Sequence, residues 1–133
     1  MNTYVFDACA LIAFFNDEEG ADKVENLISG SGRFLISMVN VYEVYYDAMK
    51  VGGVNSAEAI FNDIENLPLL AVTSLDKKTI ELAANYKVNF GVSLADSIAL
   101  GLTEKSDAIL VTADHHEFDS IAEKKLLPFF WIR

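Results

Sequence analysis

Apolar residues fall along this chain in short blocks of two kinds. Tyr4-Val5-Phe6 is a brief continuous run with the content of a buried strand. The segments Arg33 to Met38, Leu69 to Thr73, Ala108 to Thr112 and Phe129 to Ile132 read the same way. Between them the apolar positions take helical spacing. Ala8 to Phe15 is apolar except for the thiol of Cys9. Asn16-Asp17-Glu18-Glu19 is an acidic turn and helix start, and Ala21, Val24, Leu27 and Ile28 follow at helical spacing until Gly30-Ser31-Gly32. A helix from Val39 to Val51 is stopped by Gly52-Gly53. Asn55-Ser56 then reads as the cap of a helix from Ala57 to Asn66, with Ile60, Phe61 and Ile64 inward. Asp76 opens a helix to about Lys87 with Ile80, Ala83 and Ala84 inward, and Asn89-Phe90-Gly91 breaks it. Ser93 opens another to about Lys105, and Asp114 starts a short one through Lys125. Pro68 and Pro128 precede strands. Strands alternating with helices predict an α/β fold with a parallel sheet of about five strands and right-handed crossovers.

A chain of 133 residues without internal repeat, low-complexity tract or linker reads as one domain, residues 1–133, able to bury about two thirds of its unfolded surface. At 52% hydrophobic it has material for a core. Its longest apolar stretch, Ala8 to Phe15, is too short to cross a bilayer, and no basic leader accompanies it, so neither membrane nor signal peptide is expected. One cysteine allows no internal disulfide, and a reducing cytoplasm is the simplest home. Cys9, inside an apolar run, reads as a packed side chain. The net charge of −10 argues against a broad nucleic-acid-binding surface and fits a cation-binding pocket or a basic partner.

Acids stand where the elements change. Asp7 follows the first strand and precedes an apolar helix, and Asp114 repeats the arrangement after Ile109-Leu110-Val111-Thr112. In a parallel sheet both strand ends lie on one edge, where ligands bind. Each acid also reads as a helix cap, and Asp114-x-x-Glu117 and Ser93-x-x-Asp96 have capping-box spacing. Asp96 sits among Ala95, Ile98, Ala99 and Leu100, not on a solvated stripe. Glu43 shares a helix face with Asn40 and Asp47, which alone reads as a solvated polar face, and Asn40 reads equally as an early cap. Carboxylates that converge need a cation, and Mg²⁺ or Mn²⁺ takes oxygen donors and serves phosphoryl transfer. Adjacent His115 and His116 point to different helix faces and do not form a paired metal site. One of them reads as surface and the other as a neighbour of Asp114, while Glu117 and Asp119 read as a further ligand or as solvated charge.

Four stretches carry a resemblance. They are Val5-Phe6-Asp7-Ala8-Cys9-Ala10-Leu11, Ser37-Met38-Val39-Asn40-Val41-Tyr42-Glu43-Val44, Ser93-Leu94-Ala95-Asp96-Ser97-Ile98-Ala99 and Leu110-Val111-Thr112-Ala113-Asp114-His115-His116-Glu117-Phe118. In order and spacing they resemble the PIN-domain ribonucleases of the small VapC-like toxin kind. The resemblance implies a three-layer α/β/α sandwich around a five-stranded parallel sheet. It implies a metal-dependent endoribonuclease with Asp7, Glu43, Asp96 and Asp114 around Mg²⁺ or Mn²⁺. Thr112 occupies the family's small hydroxyl position before the last acid, with Asn40 and Glu117 as supporting residues. It further implies an RNA substrate, a homodimer, and a small antitoxin partner whose tail blocks the site. The chain departs from the family pattern at Ala8, where Ser or Thr is frequent. It departs again at His116, which puts Glu117-Phe118 one position late. On so acidic a chain RNA would be held by local patches, around Lys50 or Lys87, or across a dimer.

Three other readings compete. A haloacid-dehalogenase-like phosphatase also begins with a strand ending in Asp, but needs a second acid where Cys9 stands. A non-catalytic binding module of the same fold lacks metal-dependent cleavage. A PIN-fold nuclease for RNA processing differs from a toxin in its genetic neighbour, which the sequence does not show.

Overall fold

The computed structural model describes all 133 residues. Its elements are β1 (Thr3–Phe6), α1 (Ala8–Phe15), α2 (Ala21–Ser29), β2 (Arg33–Ser37), α3 (Met38–Glu65), β3 (Leu70–Val72), α4 (Lys77–Phe90), α5 (Leu94–Lys105), β4 (Ile109–Thr112), α6 (His115–Glu123) and β5 (Phe129–Trp131). The five strands form one sheet in the order β3-β2-β1-β4-β5, and every neighbouring pair is parallel. Val5 of the central strand stands opposite Leu35 on one side and Leu110 on the other.

Alternate side chains of a strand face opposite sides of the sheet, and here that divides the core in two. Phe6, Phe34, Ile36 and Val111 join Leu11, Val24 and Val44 on the face covered by α1, α2 and α3. Val5, Leu35 and Leu110 join Tyr86, Leu100 and Phe118 on the face covered by α4, α5 and α6. Both faces are covered, which is why the strands read as unbroken apolar runs. Phe6, Phe118, Leu11, Ile36, Leu100 and Leu110 are fully buried, and each such side chain contributes about 1.5–3 kcal/mol. The result is the expected α/β/α sandwich.

Two helical details differ from the sequence reading. The glycine pair at 52–53 does divide two helices, but without a fresh cap at Ser56 between them. The helical stretch from Met38 to Glu65 is two helices joined across a kink at Gly53 (φ 82, ψ −174), a left-handed conformation that glycine adopts without strain. Ser56 caps no new helix; its Oγ donates to the Gly52 carbonyl at 3.0 Å and closes the kink. In α4 the inward face is Thr79, Ala83 and Tyr86, while Ile80 is 48% exposed. The cause is α5. A Cβ on Gly101 would lie 2.9 Å from both Ala83 N and Thr79 O, so α4 is drawn against the glycine and Ile80 is turned outward.

The topology decides where a ligand can sit. From β1 the chain steps outward to β2 and β3, then crosses back through α4 and α5 to β4 on the other side of β1. The strand order therefore reverses between β1 and β4, and the crevice at the carboxyl ends of those two strands is the binding position in such sheets. Asp7 directly follows β1, and Asp114 follows β4 by two residues. No helix is long and apolar enough to cross a membrane.

Candidate metal and catalytic centre

Asp7 is only 1% exposed, and both its oxygens are engaged. Oδ1 accepts from the backbone N–H of Ala10 at 2.9 Å, capping α1, and Oδ2 accepts from the hydroxyl of Thr112 at 2.5 Å. The cap reading of Asp7 is therefore correct but incomplete, because a cap has no need to be buried at the sheet's switch point. Thr112 is wholly buried at the end of β4, and its Oγ1 also accepts from the Asp114 N–H at 3.0 Å. One hydroxyl thus ties the ends of β1 and β4 together.

Asp114 caps α6 through Oδ1, which accepts from the Glu117 N–H at 3.1 Å. Asp96 lies in the first turn of α5, where its backbone N–H is capped by Ser93 Oγ at 3.2 Å, leaving the carboxylate free of that duty. Glu43 is half-buried on α3, not part of a solvated face. Asn40, one turn before it, is fully buried and donates from Nδ2 to Glu43 Oε1 at 2.8 Å. Ser37, not Asn40, caps that helix, through Oγ accepting from the Val39 N–H. Because Nδ2 must face the carboxylate, Asn40 Oδ1 is left buried with no partner.

Glu43, Asp96 and Asp114 line a single cleft of about 350 Å³, together with Ala8, Cys9, Ile12, Glu18, Tyr46, Asp47 and Arg133. Asp7 lies at the same point, next in sequence to Ala8, and its charge is felt from both Asp96 and Asp114. Burial pushes its carboxyl up to about 7, against the opposing pull of the Thr112 and Ala10 hydrogen bonds. Burial, with repulsion from Asp114, Glu43 and Glu117, pushes Asp96 up to about 6. Burial and Asp114 raise Glu43 likewise. The acids are thus mutually repulsive neighbours, the condition a bound cation relieves. No three His, Cys, Asp or Glu side chains form a group that could hold a metal ion as they stand. In kind the donors fit Mg²⁺ or Mn²⁺: all are carboxylate oxygens, with the unpartnered Asn40 amide oxygen beside one of them. Such ions keep several of their waters and need few direct protein ligands.

The remaining candidates fall outside this set. His116 is exposed. His115 feels the charge of its neighbour Asp114 but bonds elsewhere: its ring stacks on Trp131 at 4.0 Å between centroids, and its two nitrogens meet Arg133 O and Asp119 Oδ1, each at 2.8 Å. The Arg133 carbonyl and Asp119 are both acceptors, so they raise the His115 pKa, and Asp119 Oδ1 is engaged there. Burial, then the charge of Asp7, pushes the Cys9 thiol up to about 11, which leaves it a packed neighbour and no nucleophile. Lys87 Nζ is engaged by Val92 O at 2.9 Å. The basic residue of the cleft is Arg133, which the sequence reading missed. Its signal was available: it follows β5, whose carboxyl end lies on the same edge of a parallel sheet as Asp7 and Asp114.

Solved structures share this architecture. A DNA-bound VapBC from Salmonella typhimurium is similar over 100% of both chains, with a TM-score of 0.74 and 18% identity. A toxin–antitoxin complex from Klebsiella pneumoniae is similar over 98% of both chains, with a TM-score of 0.71 and 17% identity. VapC20 from Mycobacterium tuberculosis, described as a sarcin–ricin loop cleaving toxin, matches over 88% of this chain and 94% of its own, with a TM-score of 0.70 and 13% identity. Among curated proteins none matches. The model of one family, the PIN domain, matches residues 4–124, from the central strand past the end of α6 and so across every acid described above; the chain belongs to the PIN-domain family.

Proposed function

We propose that this protein is a divalent-metal-dependent endoribonuclease that hydrolyses RNA phosphodiester bonds, and that it serves as the toxin of a toxin–antitoxin pair. The observation that carries the reading is the burial of Asp7 at the switch point, beside a cleft lined by Asp96, Asp114 and Glu43. An acid so placed destabilises the fold when charged, and structural capping alone gives no reason to keep it.

Asp7, Asp96 and Asp114 would hold Mg²⁺ or Mn²⁺, with Glu43 completing the acidic wall. A divalent ion there supplies Lewis-acid activation of the phosphodiester and of the attacking water. The protein's own contribution is positional. Thr112 fixes the rotamer of Asp7, and the N–H bonds at the start of α1 and α6 fix Asp7 and Asp114 against two rigid elements. Asn40 holds Glu43 by Oε1, which leaves Oε2 to accept a hydrogen bond from the attacking water. In-line attack then forms the bond from phosphorus to the water oxygen as the P–O3′ bond breaks; the water's proton passes to Glu43 and a solvent proton goes to O3′, leaving a 5′-phosphate and a 3′-hydroxyl.

The likeness to VapBC complexes supports a small antitoxin as partner and a homodimer as the working unit, and the charge of −10 suits a basic tail laid over the cleft. The cytoplasm, where both antitoxin and RNA are found, is the proposed setting. The test is to incubate protein freed of any partner with total RNA in Mg²⁺ or Mn²⁺ and to map the ends. Cleavage abolished by EDTA, with 5′-phosphate termini, is expected; cyclic-phosphate ends or EDTA-resistant cleavage would contradict the mechanism. A stoichiometric antitoxin should abolish the same cleavage.

A further inference from the structure

The substrate proposed above is a polyanion, yet the cleft that would receive it is lined by Glu18, Glu43, Asp47, Asp96 and Asp114. A divalent ion held by these acids would offset their charge locally. The flanking phosphates still face carboxylates. Arg133 is the one cationic side chain in the lining.

Its placement is built. Ile132 N–H donates to Thr112 O at 3.1 Å, which extends the β5 edge toward the site. His115, stacked on Trp131, meets the Arg133 carbonyl and fixes the backbone at that point. The guanidinium donates only through Nη1, to Glu19 O at 2.9 Å and to Glu18 Oε1 at 3.3 Å. A guanidinium has five N–H donors, so Nε and Nη2 keep three with no protein partner. The side chain is 31% exposed and its Glu18 partner 41%. At that exposure the Glu18 pair is a weak tie, one that a phosphate can displace or share.

We propose that Arg133 binds a phosphate of the RNA backbone next to the scissile one, with Glu18 as the counter-ion it exchanges for substrate. This rests on the nuclease reading and names a binding residue within it. Arg matches phosphate bidentately where Lys offers a point charge. The rival account makes Arg133–Glu18 a clamp that fastens the α1–α2 turn to the end of β5.

The two accounts part on the sign of one double comparison. A labelled single-stranded RNA is titrated by anisotropy into the full-length protein in the non-cleaving Asp7→Asn background, alone and with Arg133→Gln, Arg133→Lys or Glu18→Gln. Binding to phosphate predicts that Arg133→Gln weakens affinity about tenfold at low salt and flattens the plot of log affinity against log salt by about 0.7. Arg133→Lys should recover part of the loss. Glu18→Gln should act oppositely and tighten binding, because the competing carboxylate is gone. In the cleaving protein Arg133→Gln should raise KM and spare most of kcat. A clamp predicts instead that Arg133→Gln and Glu18→Gln lower the melting temperature alike and leave RNA affinity and salt slope unchanged; that result overturns the proposal while wild-type cleavage leaves the nuclease reading standing. Wild-type protein that neither binds nor cleaves RNA would overturn both.

Discussion

Thr112 Oγ1 donates to Asp7 Oδ2 at 2.5 Å, joining the carboxyl ends of the two strands between which the strand order reverses. The residues are 105 positions apart in the chain. The bond does two jobs, since the same oxygen receives the Asp114 N–H and so sets the spacing of two of the acids.

Thr112→Val keeps the volume and removes both bonds. It leaves a buried carboxylate and a backbone N–H short of a partner, at a cost of about 1–3 kcal/mol. Groups that orient a metal's ligands are worth roughly 10–100-fold in metal affinity or activity. We expect kcat to fall within that range and the melting temperature to drop, with Thr112→Ser restoring most of both. Steady-state cleavage and thermal unfolding check it; an unimpaired Thr112→Val would deny Thr112 any positioning role.

Asp7 makes metal-free stability depend on pH in an unusual direction. Burial pushes its carboxyl up to about 7 in the folded chain, from the ordinary aspartate value of 3.8. Between those values the folded state holds the proton and the unfolded state releases it, so Asp7's contribution to stability is lost as pH rises toward 7 and stays lost above it. Asn at this position presents an oxygen to the Ala10 N–H and an amide to the Thr112 hydroxyl without charge. In EDTA at pH 8, Asp7→Asn should therefore be more stable than wild type, by an amount on the order of 2–4 kcal/mol. The two should converge near pH 4. Adding Mn²⁺ should raise the wild-type melting temperature and leave the variant's unchanged. A variant less stable than wild type at pH 8 would show that the buried charge is compensated within the protein.

Much of this arrangement was legible in the sequence because a parallel sheet imposes a rule: strand–acid–helix, repeated at Asp7 and Asp114, places both acids on one edge. Asp96 was legible from its apolar surroundings. Glu43 was ambiguous, because helical spacing puts it with Asn40 and Asp47 whether that face meets water or a cleft, and only packing buries Asn40. The kink at Gly53 was legible from the Gly-Gly pair, and only the cap was misplaced, because Asn-Ser after such a pair has the local chemistry of a new helix start. The outward turn of Ile80 was invisible, since it follows from a contact between Gly101 and α4 across two helices. Arg133 was overlooked because a single cation after a short strand has no periodicity to mark it.

That α4–α5 contact gives a control in which stability and activity separate. Gly101→Ala would set its Cβ 2.9 Å from backbone atoms of Thr79 and Ala83, neither of which can swing away. Overpacking of this kind costs about 1–3 kcal/mol. Denaturant unfolding should show the loss, and cleavage per folded molecule should match wild type. A folded, stable Gly101→Ala with reduced kcat would place this interface in the catalytic account, where nothing here puts it.

The central claim is that Asp7 belongs to a metal-dependent nuclease site and is not simply a cap. The most direct measurement is RNA cleavage by partner-free wild type and Asp7→Asn side by side, in Mn²⁺ and in EDTA, after both are shown to be folded. The account predicts cleavage by wild type in Mn²⁺ alone, and none by Asp7→Asn in either condition. Equal cleavage by the two proteins would contradict it.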